Sequence, residues 1–148
     1  MTSSNHILAG SLVATYFSSP WTVLPLAFMS HFALDALPHF GNTNVKLNAK
    51  QKYRKYLAVE ILGLFGILLL LSTGKYGLNL LTLAGFFAVL PDLEHPIRYL
   101  VFARRGIDPP ETLTYKFHKR IQWAERERFI VVEILLFILG FAIFQSMR

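Results

Sequence analysis

The sequence predicts an all-α, polytopic helical membrane bundle of about five spans plus a cytoplasmic-side interfacial helix, and three observations carry that expectation. The chain is strongly apolar: 53% of its 148 residues are hydrophobic and 14% aromatic, with a mean hydropathy of +0.42, above the ordinary globular composition. The apolar residues gather into runs, the longest near the roughly 17 to 25 residues that a spanning helix needs. The basic residues gather between the runs: five of fifteen fall from Lys46 to Lys55 and eight from Arg98 to Arg128. Such clusters mark cytoplasmic loops. Residues 1–148 read as a single transmembrane helical domain.

The elements follow in order. MTSSNHILAG has no positive residue ahead of its apolar stretch, so no cleaved signal peptide is expected. The first run, Ile7 to Phe17, is short for a span. Ser18-Ser19-Pro20 turns the chain, and the second run, Trp21 to Leu37, returns inward with Trp21 at the outer interface. The third run, Tyr56 to Ser72, leads out to a loop at Gly74 to Asn79. The fourth, Leu78 to Leu90, comes back as a second marginal span. The fifth, Phe129 to Phe144, leads out again. None of the runs alternates with period two, which excludes barrel strands and leaves helices. Between the fourth and fifth runs, ETLTYKFHKRIQWAERER mixes aromatic and basic residues. This is the stretch expected to form the interfacial helix. The threading implies a multi-pass protein of a cell inner membrane with its N-terminus in the cytoplasm.

The formal charge of +6 flanks apolar runs and accompanies no nucleic-acid-binding motif, so the expected partners are membrane lipids, with no nucleic acid. The chain has no cysteine. Any metal site must then use histidine and carboxylate.

Those residues gather at one end of the threaded bundle. His31, Asp35 and His39 recur at intervals of four in HFALDALPHF, and steps of four advance about 40° on a helix, so they share a face while the helix lasts. Pro38 disfavours helix at Leu37, which leaves His39 either on that face or in the loop beyond it. His31 has two readings, a ligand or a hydrogen-bonded core histidine. Asp35 near a helix C-terminus opposes the helix dipole, and ligation accounts for it better than capping does. LPDLEHP, Leu90 to Pro96, repeats the combination with Asp92 and His95 between two prolines. Glu60 and Glu133 lie about a turn inside the third and fifth runs, where they either pair with arginine or move protons. His118 lies on the cytoplasmic connection. Glu60, Glu133 and His118 are the candidate catalytic residues.

SHFALDALPH and LPDLEHP resemble the two signature segments of the predicted membrane-bound metal-dependent hydrolases of bacterial inner membranes, and NHILAG resembles the start of that family. The two signature segments stand here in reversed order. The resemblance implies metal-binding or catalytic roles for His6, His31, Asp35, His39, Asp92 and His95. HFALDALPH is also similar to a His, Asp, Pro, His run of zinc-dependent phospholipases C, with a shorter spacing before the last histidine.

The resulting expectation is a membrane-embedded hydrolase dependent on a divalent metal, zinc by its ligand set, acting at the cytoplasmic face on a phosphoester or lipid head group. The alternative from a different class is a non-enzymatic membrane scaffold or structural metal-binding protein.

Overall fold

The computed structural model describes residues 1–40, 80–102, 105, 107, 110–124 and 126–147, and these form helices with no strand among them. Helix α1 runs Ser3–Tyr16, α2 Pro20–Asp35, α3 Leu80–Val89, α4 Glu94–Val101, α5 Leu113–Ile121 and α6 Ile130–Ser146. Short 3-10 turns at Leu90–Leu93 and Glu127–Phe129 lead into α4 and α6.

Local chemistry sets several of these boundaries. After α1 the backbone turns extended at Phe17, and Pro20 opens α2 at a position where its missing N–H costs nothing. Helix α2 stops at Asp35, three residues before Pro38, as the steric clash of proline with a preceding helical residue requires. Thr112 caps α5 by accepting from the Tyr115 N–H at 3.1 Å.

Helix α1 is the central element, packed on α2, α3 and α6. Its contact with α3 is a seam of small residues. A methyl group added at Gly10 would meet the Ala84 carbonyl oxygen at 2.5 Å and the Ala88 Cβ at 2.7 Å, and one added at Gly85 would meet Ile7 Cγ2 at 2.8 Å. Backbone therefore approaches backbone, and Ser11 Oγ uses the proximity to donate to the Leu81 carbonyl at 3.1 Å. Val23 and Ala27 of α2 complete a buried cluster with Ala84 and Ala88. Ile7 and Leu8 of α1 also pack with Val89 of α3 and with Phe144 of α6.

The membrane expectation is corrected here. No described helix is long and apolar enough to cross a membrane. Helix α6 is the longest, with 17 residues, about 25 Å at 1.5 Å per residue, against a hydrocarbon core of about 30 Å. Helices α1, α2 and α3 have 14, 16 and 10 residues. The apolar runs overstate the helices because hydropathy does not register where hydrogen bonding stops: Ser18-Ser19-Pro20 and Pro38 bound α2, and Pro91 converts the end of α3 into a 3-10 turn. The described helices thus overturn the five-span bundle and, with it, the transmembrane and inner-membrane assignments. The run from Tyr56 to Ser72 lies outside the described residues. The stretch expected to lie at an interface forms α5, which packs on α2 and turns His118 inward, leaving it 2% exposed.

Candidate metal centre

Four elements deliver the site. Helix α1 brings His6 and α2 brings His31 and Asp35. The turn after α3 brings Asp92, and α5 brings His118. His6, His31, Asp35 and His118 are buried, and Asp92 keeps 21% of its side chain exposed.

His31 Nδ1 lies 2.8 Å from the Ala88 carbonyl oxygen. A carbonyl only accepts, so Nδ1 donates, and Nε2 is the nitrogen turned to the carboxylates. That Nε2 is 2.8 Å from His118 Nε2 and 3.3 Å from Asp35 Oδ2. His118 Nε2 is 3.0 Å from the same oxygen. Asp92 Oδ1 stands 3.7 Å from both His31 Nε2 and His118 Nε2. A tetrahedral ion with ligands about 2.0 to 2.1 Å away requires ligand-to-ligand distances of about 3.3 to 3.4 Å, and these five distances bracket that value. The His31, Asp35, Asp92 and His118 group can therefore hold a metal ion, its ligand atoms all lying within 4.8 Å of one another.

The surroundings are of the kind that orient ligands. Gln122 Nε2 donates to Asp35 Oδ2 at 3.0 Å, and the Met1 ammonium donates to Asp35 Oδ1 at 2.7 Å. Phe32 packs edge-on to His31 and against Phe117 of α5. The electrostatics separate the two aspartates. Burial by itself would raise the Asp35 pKa, but hydrogen bonds from His118, His31 and His6 and the nearby ammonium hold the carboxyl far below the usual range. Burial pushes Asp92 up to about 6, against the opposing pull of His31, the ammonium and His118. Burial also holds the His6 imidazole down at about 3, only partly offset by Asp35.

The remaining expected site residues lie elsewhere. His39 is beyond α2, its Nδ1 donating to the Leu37 carbonyl at 2.8 Å, and it is outside the four-residue group. The Glu133 carboxylate accepts from the Thr2 N–H at 3.1 Å, Thr2 Oγ1 at 2.8 Å, Asn5 Nδ2 at 2.7 Å and the Phe40 N–H at 3.3 Å. It ties the start of α1 to the end of the α2 loop. His95 belongs to α4, but its side chain, like the whole of Glu60, lies outside the described residues. His118, expected as a catalytic residue, stands among the ligand atoms. Gln122 and the Ala88 carbonyl went unread in the sequence. Gln122, the residue that caps the end of α5, follows His118 by four and reaches back to Asp35. A backbone carbonyl leaves no sequence signal.

Comparison with protein-family models, curated proteins and solved structures finds no match. The functional reading therefore stands on this geometry and chemistry.

Proposed function

We propose that this chain is a metal-dependent hydrolase of phosphoesters, its ion held by His31, Asp35, Asp92 and His118. The observation that carries the reading is the set of ligand-to-ligand distances, 2.8 to 3.7 Å, among four residues from three separate stretches of chain. The two-histidine, two-carboxylate donor set suits zinc or manganese. Such an ion supplies Lewis acidity and lowers the pKa of a water it binds towards 7.

The protein's own contribution is asymmetric. His31, His118 and Asp35 form the tight face, fixed by Ala88, Gln122 and the Met1 ammonium. Asp92 makes the longest approaches and is the least buried member, so it marks the edge where water or a phosphoester oxygen enters. Lys119 and Arg120 follow His118 directly on α5 and are exposed, so the helix that carries His118 also carries positive charge suited to phosphate.

A structural metal site closed by all four residues is the second reading, favoured by the presence of a fourth protein ligand. Hydrolysis of bis(p-nitrophenyl) phosphate by zinc- or manganese-loaded protein separates the two. The hydrolase reading expects turnover that a chelator abolishes and that Asp35→Asn lowers at least about 100-fold, the scale of losing a metal-held catalytic group. Metal bound stoichiometrically without turnover on phosphomonoesters or phosphodiesters would leave the structural reading.

A further inference from the structure

The two aspartates divide their oxygens in the same way. Asp35 turns Oδ2 to His31 and His118, at 3.3 and 3.0 Å, and Oδ1 to His6, at 3.2 Å. Asp92 turns Oδ1 to His31 and His118, each at 3.7 Å, and Oδ2 to His6, also at 3.7 Å. Each carboxylate thus has one oxygen for the four-residue group and one for His6. His6 is 0% exposed, with Nε2 turned to both carboxylates and no hydrogen-bond partner at Nδ1. A fully buried imidazole nitrogen aimed at carboxylate oxygens from two different elements has the arrangement of a metal ligand.

The stacking of the rings adds the spacing. His6 and His31 lie nearly parallel, centroids 3.9 Å apart and planes 23° apart. An imidazole holds an ion in its own plane along the nitrogen lone pair. Two stacked rings pointing the same way therefore place two ions about one stacking distance apart, and paired metal sites have separations of about 3.5 to 4 Å.

We infer that the site is dinuclear: a second divalent cation binds between His6 Nε2, Asp35 Oδ1 and Asp92 Oδ2, with both aspartates bridging it to the ion on His31 and His118. The Met1 ammonium at Asp35 Oδ1 shows that this pole of the carboxylate accepts positive charge, and the second ion displaces it. The inference rests on the mononuclear reading above and extends it. With two ions, the attacking and leaving oxygens of a phosphoester are stabilised separately, the arrangement suited to phosphodiester cleavage.

The test is metal stoichiometry on the full chain, stripped with chelator and reloaded with manganese, read by plasma mass spectrometry and electron paramagnetic resonance. The expected result is two ions per chain with the spectrum of an exchange-coupled pair. His6→Gln should retain one ion with the spectrum of an isolated manganese, its fold checked by circular dichroism. One ion per chain in the wild type, with an uncoupled spectrum, would overturn the second position while leaving the mononuclear site. No bound ion would overturn both. The wild-type measurement needs no variant to fold.

Discussion

His31 Nδ1 donates to the Ala88 carbonyl oxygen at 2.8 Å, and this one contact between α2 and α3 determines which nitrogen of His31 meets the two aspartates. The carbonyl comes from the helix packed against α1 through Gly10, so site chemistry and core packing share a residue.

That coupling predicts the effect of Gly10→Ala. The new methyl would stand 2.5 Å from the Ala84 oxygen and 2.7 Å from the Ala88 Cβ, and backbone cannot yield as a flexible side chain does. Overpacking of this kind costs about 1 to 3 kcal/mol, and thermal unfolding should occur several degrees lower. Metal affinity should fall as well, because α3 carries the carbonyl that orients His31. A variant that unfolds at the wild-type temperature would show that the α1 to α3 seam is looser than described.

Gln122→Ala removes the hydrogen bond to Asp35 Oδ2 and no ligand atom. Loss of such a supporting contact weakens metal binding about 10- to 100-fold, measurable by titration against a chelating dye. Unchanged affinity would mean that Gln122 only fills space beside α5.

Glu133→Ala distinguishes a positioning residue from a proton-transfer residue. The carboxylate accepts hydrogen bonds from Thr2, Asn5 and Phe40, and its removal strands buried donors at a cost of about 1 to 3 kcal/mol. The expected outcome is a lower unfolding temperature with metal stoichiometry retained. Wild-type stability together with lost turnover would restore Glu133 to the catalytic role expected from the sequence.

The metal-free protein should show opposing pH effects from Asp92 and His6. Asp92 titrates at about 6 when folded, above its ordinary value, so between those values the folded state holds more protons than the unfolded. Its contribution to stability is lost as pH rises through that window. His6 titrates at about 3 when folded, below its ordinary value, so the unfolded state holds more protons and stability rises with pH. Each effect is limited to about 1.4 kcal/mol per pH unit. Asp92→Asn removes the falling contribution, so between pH 4 and 6 the unfolding temperature of the chelated variant should climb more steeply than that of wild type. Parallel curves would show that Asp92 is ionised throughout.

Much of the site was legible as chemistry. The absence of cysteine restricted ligation to histidine and carboxylate, and the i, i+4 spacing put His31 and Asp35 on one face, where Nε2 and Oδ2 are 3.3 Å apart. Helix was legible too, since runs without period-two alternation leave few other choices. What could not be read was the extent and facing of those helices. In α6 nearly every position is apolar, yet Phe144 and Glu133 are buried while Ile134, Leu135, Ile138 and Leu139 are exposed. Composition cannot show this, because a helix apolar on all sides carries no periodic signal for its packed face.

The sequence by itself determined the helical class, the proline and serine breaks that end α1 and α2, and the ligand types available. Only the tertiary structure decided that the helices are too short to cross a membrane, that His118 joins the ligands while His39 turns back to Leu37, and that each aspartate faces His6 with one oxygen. The reason is physical. Helical periodicity relates residues within one element, whereas the distance between residues tens of positions apart is set by how closely backbones pack, here by the approach of Gly10 to Ala84 and Ala88.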